Sequence, residues 1–198
     1  MPALKKRIET FQRLADQIGP ERVVWRYDPI LFSSQINLEW HLEQYRAIAH
    51  ALHGYTKRCV FSFVDFYKKT VRNTQHLGVI PITAKQMETM GRHLAEMGRA
   101  HDLVLTTCCE SVDLEPYGIA KGACIDPELI NAIAGTNATF RPDPFQRQGC
   151  GCVQSIDIGA YNTCVYQCAY CYANVNARTA LQNLRRHDPS SDMMLGDE

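Results

Sequence analysis

The sequence has no excess of charge of either sign. Its 21 basic and 21 acidic residues cancel, so no one-signed field steers the chain toward nucleic acid or an anionic membrane. It has no apolar run near the roughly 20 residues that a membrane-spanning helix needs. It also has no secretory signal: Met1-Pro2 is followed by Lys5, Lys6 and Arg7 without an apolar stretch behind them, and the cytoplasm is the expected location. The seven histidines share no ligand spacing with the cysteines, so none is assigned a metal role. Apolar residues are not scarce. They make up 45% of 198 residues, which argues against disorder and allows one domain with a sizeable core.

Cysteine is what the chain has in plenty. There are nine, an odd number, and all but Cys59 fall in the C-terminal half: Cys108, Cys109, Cys124, Cys150, Cys152, Cys164, Cys168 and Cys171. In a reducing compartment such crowding points to metal binding or catalysis instead of disulfides.

The apolar periodicity predicts alternating helices and strands. Leu4, Ile8, Phe11, Leu14 and Ile18 mark a helix over 3–18, stopped by Gly19-Pro20. Residues 22–27 read as a strand. Asn37 caps a helix carrying Trp40, Tyr45, Ile48 and Leu52, with Gly54 just past its end. Residues 59–64 read as a buried strand. Thr83 and Gln86 form a capping box for a third long helix. Residues 103–107 read as a strand, and Asp126-Pro127 starts a short helix. A fourth strand is expected at 155–158. This pace is that of βα units, so the expected fold is α/β with a parallel sheet. It is either a small open sheet or an incomplete TIM-like βα barrel followed by a C-terminal cysteine-rich cluster-binding region; a complete barrel needs about 250 residues. The expected division is a partial barrel over 1–135, an iron–sulfur-binding region over 136–185 and a flexible tail over 186–198.

Reactive side chains stand at the expected strand ends: Arg26-Tyr27-Asp28, then Asp65, then Cys108 through Glu110. In parallel α/β folds the carboxyl ends of the strands line the ligand site. Asp28 before Pro29 and Asp65 could equally serve turns or caps. Arg26 suits a bidentate contact to a cofactor or substrate carboxylate, or a structural pair with Asp28 or Asp65. Glu110 could orient a substrate or face solvent.

Cys164, Cys168 and Cys171 form a C-x-x-x-C-x-x-C triplet with Tyr170 before its last member. Thiolates suit iron–sulfur clusters and zinc. Three at this spacing can wrap one corner of a cubic cluster and leave its fourth iron open to a small molecule. A zinc site built from Cys150, Cys152, Cys168 and Cys171 is the alternative, and it leaves Cys164 and Tyr170 unexplained. Cys108, Cys124, Cys150 and Cys152 could hold a second site, either an auxiliary cluster or zinc. Gly149 and Gly151 would let the backbone fold tightly around the C-x-C pair. Cys59 is expected to be buried and inert, and Cys109 a spare neighbour of Cys108.

The triplet with its aromatic residue resembles the radical S-adenosylmethionine signature. That resemblance implies a [4Fe–4S] cluster on Cys164, Cys168 and Cys171, an open iron that chelates S-adenosylmethionine, and an adenine contact from Tyr170. It also implies reductive cleavage of that cofactor, hydrogen abstraction from an unknown small-molecule or macromolecular substrate, and a flavodoxin or ferredoxin as reductant. A non-enzymatic zinc module or an electron-transfer module stays open beside it.

A wider stretch is similar to the domain of unknown function 1848 family. The similarity runs through residues 25–30, Ser62-Phe63-Val64-Asp65, residues 122–126, Gly149-Cys150-Gly151-Cys152, Asp157-Ile158-Gly159 and Cys171-Tyr172-Ala173-Asn174. Radical enzymes usually carry the triplet after their first barrel strand. Its late place here implies a circularly permuted barrel, with 155–158 leading into the cluster loop. Members of the resembled family usually extend upstream of the segment matching Met1, so the chain is expected to lack some barrel strands. A part-barrel exposes strand edges, and self-association is the expected consequence.

Overall fold

Ile8 and Phe11 pack one side of a helix spanning Leu4–Ile18 (α1) against the core. The structure is a computed structural model and describes residues 1–195. The chain divides into two compact units, one formed by 2–64 with 80–154 and the other by residue 1 with 65–79 and the segment from 155 onward.

The first unit is built on four parallel strands: Val24–Ile30 (β1), Arg58–Phe63 (β2), Val104–Cys108 (β3) and Ala120–Gly122 (β4), in the spatial order β1-β2-β3-β4. Parallel neighbours need long crossovers. A helix over Leu38–Leu52 (α2) lies between β1 and β2 in the chain, and one over Ala84–Arg99 (α4) lies between β2 and β3. The caps read from the sequence are present. The Asn37 side chain accepts the Trp40 N–H at 2.9 Å, and Thr83 and Gln86 close a reciprocal capping box.

Strand alternation then sorts the side chains. Trp25, Cys59, Phe61, Phe63 and Leu105 point into one core with Tyr45, Ala49 and Leu52 of α2 and Met90, Leu94 and Ala95 of α4. Trp25 stacks on Tyr45 with ring centroids 4.7 Å apart. His41 is buried there and neutral, its pKa lowered by burial. Its Nε2 donates to the Leu31 carbonyl and its Nδ1 accepts from the Tyr27 hydroxyl, at 2.9 and 2.8 Å. The residues between the core positions face the other side of the sheet. They include Arg26 and Asp28 of β1, Arg58 and Ser62 of β2, and Thr106 and Cys108 of β3.

The fourth strand differs from expectation. Residues 155–158 join no ladder, and Ile156 is 88% exposed. Ser-Ile-Asp-Ile has the alternation of a half-buried strand, but the place beside β3 belongs to Ala120–Gly122. Gly122 fits close against β3: a Cβ there would lie 2.5 Å from Thr106 Oγ1 and 3.1 Å from the Thr107 carbonyl oxygen. Beyond β4, Asp126 caps a helix over Pro127–Ala134 (α5), accepting the N–H groups of Glu128 and Leu129. Its second carboxylate oxygen pairs with Arg58 at 2.9 Å.

The second unit carries two helices that the periodicity did not announce, Lys68–Thr74 (α3) and Ala177–Arg186 (α6). The first is seven residues long, and α6 buries only Ala180, so neither has a broad apolar stripe. Asn176 caps α6 through the Thr179 N–H at 2.9 Å. Part of the expected tail is tied down: the Met194 N–H donates to the Ile158 carbonyl at 2.8 Å. Residues 196–198 of that tail lie outside the described residues.

Candidate functional site

The carboxyl ends of β1, β2, β3 and β4 bring together Arg26, Asp28, Ser62, Cys108 and Cys124. Asp28 takes two hydrogen bonds from Arg26 on one oxygen, from Nε at 3.0 Å and from Nη2 at 2.5 Å. Its other oxygen accepts the Ser62 hydroxyl. With Nε and Nη2 held, Nη1 of Arg26 donates to Cys124 Sγ at 3.0 Å. The Cys124 and Cys108 sulfurs are 3.2 Å apart. A continuous polar chain therefore runs Ser62, Asp28, Arg26, Cys124, Cys108.

This contact splits the two thiols. The hydrogen bond from Cys124, reinforced by Arg26 against the cost of burial, brings Cys108 down to about 5. Cys124 moves up, first because its proton is held by Cys108 and then through desolvation. A second thiolate would put two negative sulfurs in contact, so the pair holds a single negative charge across neutral pH. Burial opposes the charge on Arg26, but Asp28 and the two sulfurs outweigh it and raise its pKa. Arg26 and Asp28 also line a cavity of about 490 Å³ with Phe11, Trp25, Trp40 and Gln44.

The other strand-end residues have quieter roles. Glu110 accepts the Phe63 N–H at 2.8 Å and so latches the end of β2. Asp65 belongs to the second unit. Cys109 has a left-handed backbone, φ 57°, a conformation that non-glycine residues seldom adopt, and its thiol donates to the Gln148 carbonyl at 3.4 Å. Gly149 turns the chain with φ 86°, and Cys150 is pushed up chiefly by burial. Cys152 is buried, and its sulfur accepts the N–H groups of Cys124 at 3.2 Å and Ile125 at 3.4 Å. Cys59 is buried in the core, and desolvation pushes its thiol up to about 12.

The triplet lies in the second unit. Gln167 takes φ 54°, and the Cys171 N–H donates to the Cys168 carbonyl at 2.9 Å, so the loop turns tightly between its last two cysteines. Cys168 and Cys171 line one cavity of about 370 Å³ together with His76, Asn73 and Asn174. Asn174 is buried. Its Nδ2 donates to the Cys164 carbonyl, while its Oδ1 has no hydrogen-bond partner among the described residues. Cys164 itself is exposed. Lys69 of α3 braces the loop by donating to the carbonyls of Tyr172, at 3.1 Å, and Asn174. Thr70 donates to the carbonyl of Tyr170 at 3.4 Å.

Among the described residues, no group of three or more His, Cys, Asp or Glu side chains is arranged to hold a metal ion. The structure brings the Cys108 and Cys124 sulfurs into contact and places Cys168 and Cys171 on one cavity. Cys150 and Cys152 lie in the first unit and the triplet in the second. From the sequence, Ser62 and Asn174 stood out only inside stretches similar to the family, without a role, and Lys69 did not stand out. Ser62 had a legible signal, the alternation that puts it on the Arg26 side of the sheet. Lys69 had none, because its contacts are with backbone atoms 103 and 105 residues away, and the bond from Asn174 goes to the backbone of Cys164, 10 residues back.

The family model described as Domain of unknown function (DUF1848) matches residues 1–173. The chain belongs to that family. The DUF1848 match takes in the strand-end site and all three cysteines of the triplet. No curated protein and no solved structure matches the chain. Among the described residues, no helix is long and apolar enough to cross a membrane.

Proposed function

We propose that this DUF1848 chain is an iron–sulfur protein of the radical S-adenosylmethionine kind, with Cys164, Cys168 and Cys171 as ligands of a [4Fe–4S] cluster. One observation carries the reading: Cys168 and Cys171 line one cavity with Asn174, a buried residue whose amide oxygen lacks a partner among the described residues. A buried acceptor left unpaired is costly, and a water or the amino group of S-adenosylmethionine could satisfy it, whereas the cluster itself has no hydrogen to donate. The donor set fits a cluster in its chemistry, three soft thiols within eight residues. The sulfurs are not assembled around one point, so metal binding would draw Cys164 toward the other two.

When bound, the cluster would supply one electron to the sulfonium of S-adenosylmethionine, delivered by a flavodoxin or ferredoxin in the cytoplasm. The chain's own part is to bind and orient. Asn174 holds the Cys164 backbone, Lys69 holds the strand of loop after Cys171, and Tyr170 offers an aromatic face for adenine. In the first unit, Arg26 and Asp28 are the polar walls of a cavity large enough for a small molecule. We read the sheet as a sector of a TIM-like barrel, because all four strands are parallel and in sequential order.

Anaerobic purification and reconstitution test the reading. The expected protein is brown, contains iron and labile sulfide, loses both when Cys168→Ala is introduced, and forms 5′-deoxyadenosine after reduction. A colourless protein with stoichiometric zinc and no sulfide overturns it in favour of a zinc module. A cluster that forms no 5′-deoxyadenosine leaves an electron-transfer protein.

A further inference from the structure

The triplet does not account for the cysteines of the first unit. We propose that Cys108 and Cys124 are a dithiol–disulfide redox centre that exchanges with low-molecular-weight disulfides, with Arg26 as the residue that positions charge on it. The two sulfurs already touch at 3.2 Å, about 1 Å beyond a disulfide bond. They come from different segments, the end of β3 and the turn after β4, and the pairing of Cys108 with Gly122 fixes the two backbones side by side. Cys124 is exposed and Cys108 half-buried, so an external disulfide can reach the pair.

Three features separate this pair from two cysteines that merely pack together. Arg26 holds a permanent cation 3.0 Å from Cys124 Sγ, with the Cys108 sulfur in contact with Cys124, so the pair has a cation beside it to favour a thiolate for exchange. The guanidinium cannot drift, because Asp28 holds its Nε and Nη2 and Ser62 holds Asp28. The third candidate sulfur, Cys152, is occupied by two backbone N–H groups, and among the described residues no trio of ligand side chains forms around the pair. The site is built for two sulfurs.

The chemistry balances without a further reactant. One sulfur, as thiolate, attacks an external disulfide RS–SR, forming a mixed disulfide and releasing RS⁻. The second then attacks the first sulfur, closing the Cys108–Cys124 bond and releasing the other RS⁻. The one proton left on the pair goes to one RS⁻, the other RS⁻ takes its proton from solvent, and two electrons pass from the pair to the external disulfide.

The test uses the full chain purified anaerobically, equilibrated with mixtures of reduced and oxidised glutathione, trapped with N-ethylmaleimide and mapped by peptide mass spectrometry. The expected result is a Cys108–Cys124 linked peptide that forms at least about tenfold faster than any other cysteine pair and reverses with dithiothreitol. Cys108→Ser or Cys124→Ser should arrest the reaction at a glutathione adduct on the remaining sulfur. Arg26→Gln should slow formation and move the pH profile of the rate upward, and Arg26→Lys should restore part of the rate, which a purely structural role would not do. Two outcomes overturn the proposal: both sulfurs alkylated at the most oxidising ratio, or both shielded by a bound metal until a chelator is added. The wild-type map needs no variant to fold, and it does not depend on the state of Cys164, Cys168 and Cys171.

Discussion

Arg26 reaches Cys124 with one nitrogen only, at 3.0 Å, because Asp28 holds the other side of the guanidinium. The residues are 98 positions apart in the chain. The parallel sheet makes this possible, since β1 and β4, its two outer strands, finish at the same carboxyl end, and the alternation of β1 turns Arg26 and Asp28 away from the core.

Removing the anchor should loosen the cation. In Asp28→Asn the charge-assisted bonds to Arg26 are lost, and Ser62 loses a charged acceptor. Cys124 and Arg26 lower the Cys108 thiol while Asp28 itself raises it, so an upward shift of the iodoacetamide alkylation profile at Cys108 from its midpoint of about 5 is expected only as the net result of the guanidinium leaving the pair. Each unit of upward shift lowers the thiolate fraction about tenfold at pH values below the midpoint. An unmoved or lowered profile would show that Arg26 stays beside the sulfurs without Asp28.

The same pair makes stability depend on pH. Cys108 falls to about 5 in the folded chain from an ordinary 9.0. Its contribution is complete above the unfolded value and lost as pH falls through about 5. Cys124 is shifted the other way, so its contribution is complete below the unfolded value and lost as pH rises above it. The unfolded chain therefore binds more protons between pH 5 and 9, and stability should rise across that window, then fall. Urea midpoints of reduced protein measured across this range should rise, and the rise should shrink in Cys108→Ser.

Tyr45 separates packing from hydrogen bonding. Its ring is fully buried against Trp25, while its hydroxyl has no partner of hydrogen-bond geometry among the described residues. Tyr45→Ala should cost about 3–5 kcal/mol through the cavity it leaves. Tyr45→Phe should be neutral or stabilise by about 1 kcal/mol, because it removes an unsatisfied buried group. Urea unfolding of both variants gives the comparison, and a large loss in the Phe variant would reveal a bond to the neighbouring Cys59 thiol.

Cys59 should be the last thiol to react. It is buried, and its thiol is pushed up to about 12, so the native chain at pH 8 should label elsewhere and leave Cys59 free until denaturant is added. Peptide mapping after timed N-ethylmaleimide treatment reads the order directly.

The triplet loop depends on Lys69 and Asn174. Lys69→Met removes the donor to the Tyr172 and Asn174 carbonyls, and Asn174→Ala removes the tie to Cys164. On the proposed cluster reading, each should lower the iron affinity of reconstituted protein by about tenfold, the usual effect of losing a group that orients ligands. Iron content after gel filtration measures it.

The helices with broad apolar stripes and side-chain caps were legible in the sequence, as were the apolar strands. Asn37, Thr83 and Asp126 announce their helices because a cap is a contact within three residues. The short helix α6 was not legible, since it buries a single alanine. The fourth strand was misplaced because Ser-Ile-Asp-Ile carries the alternation that Ala-Lys-Gly lacks, and a three-residue strand is chosen by its neighbour, not by its own pattern.

Residue types and spacing alone determined the α/β class, the buried inert Cys59 and the wealth of reactive sulfur, because periodicity, capping and composition are local properties. Which sulfurs meet was decided only by the tertiary structure. Cys108 finds Cys124 and Arg26 through strand register across most of the first unit, and no local spacing encodes a register between strands so far apart in the chain.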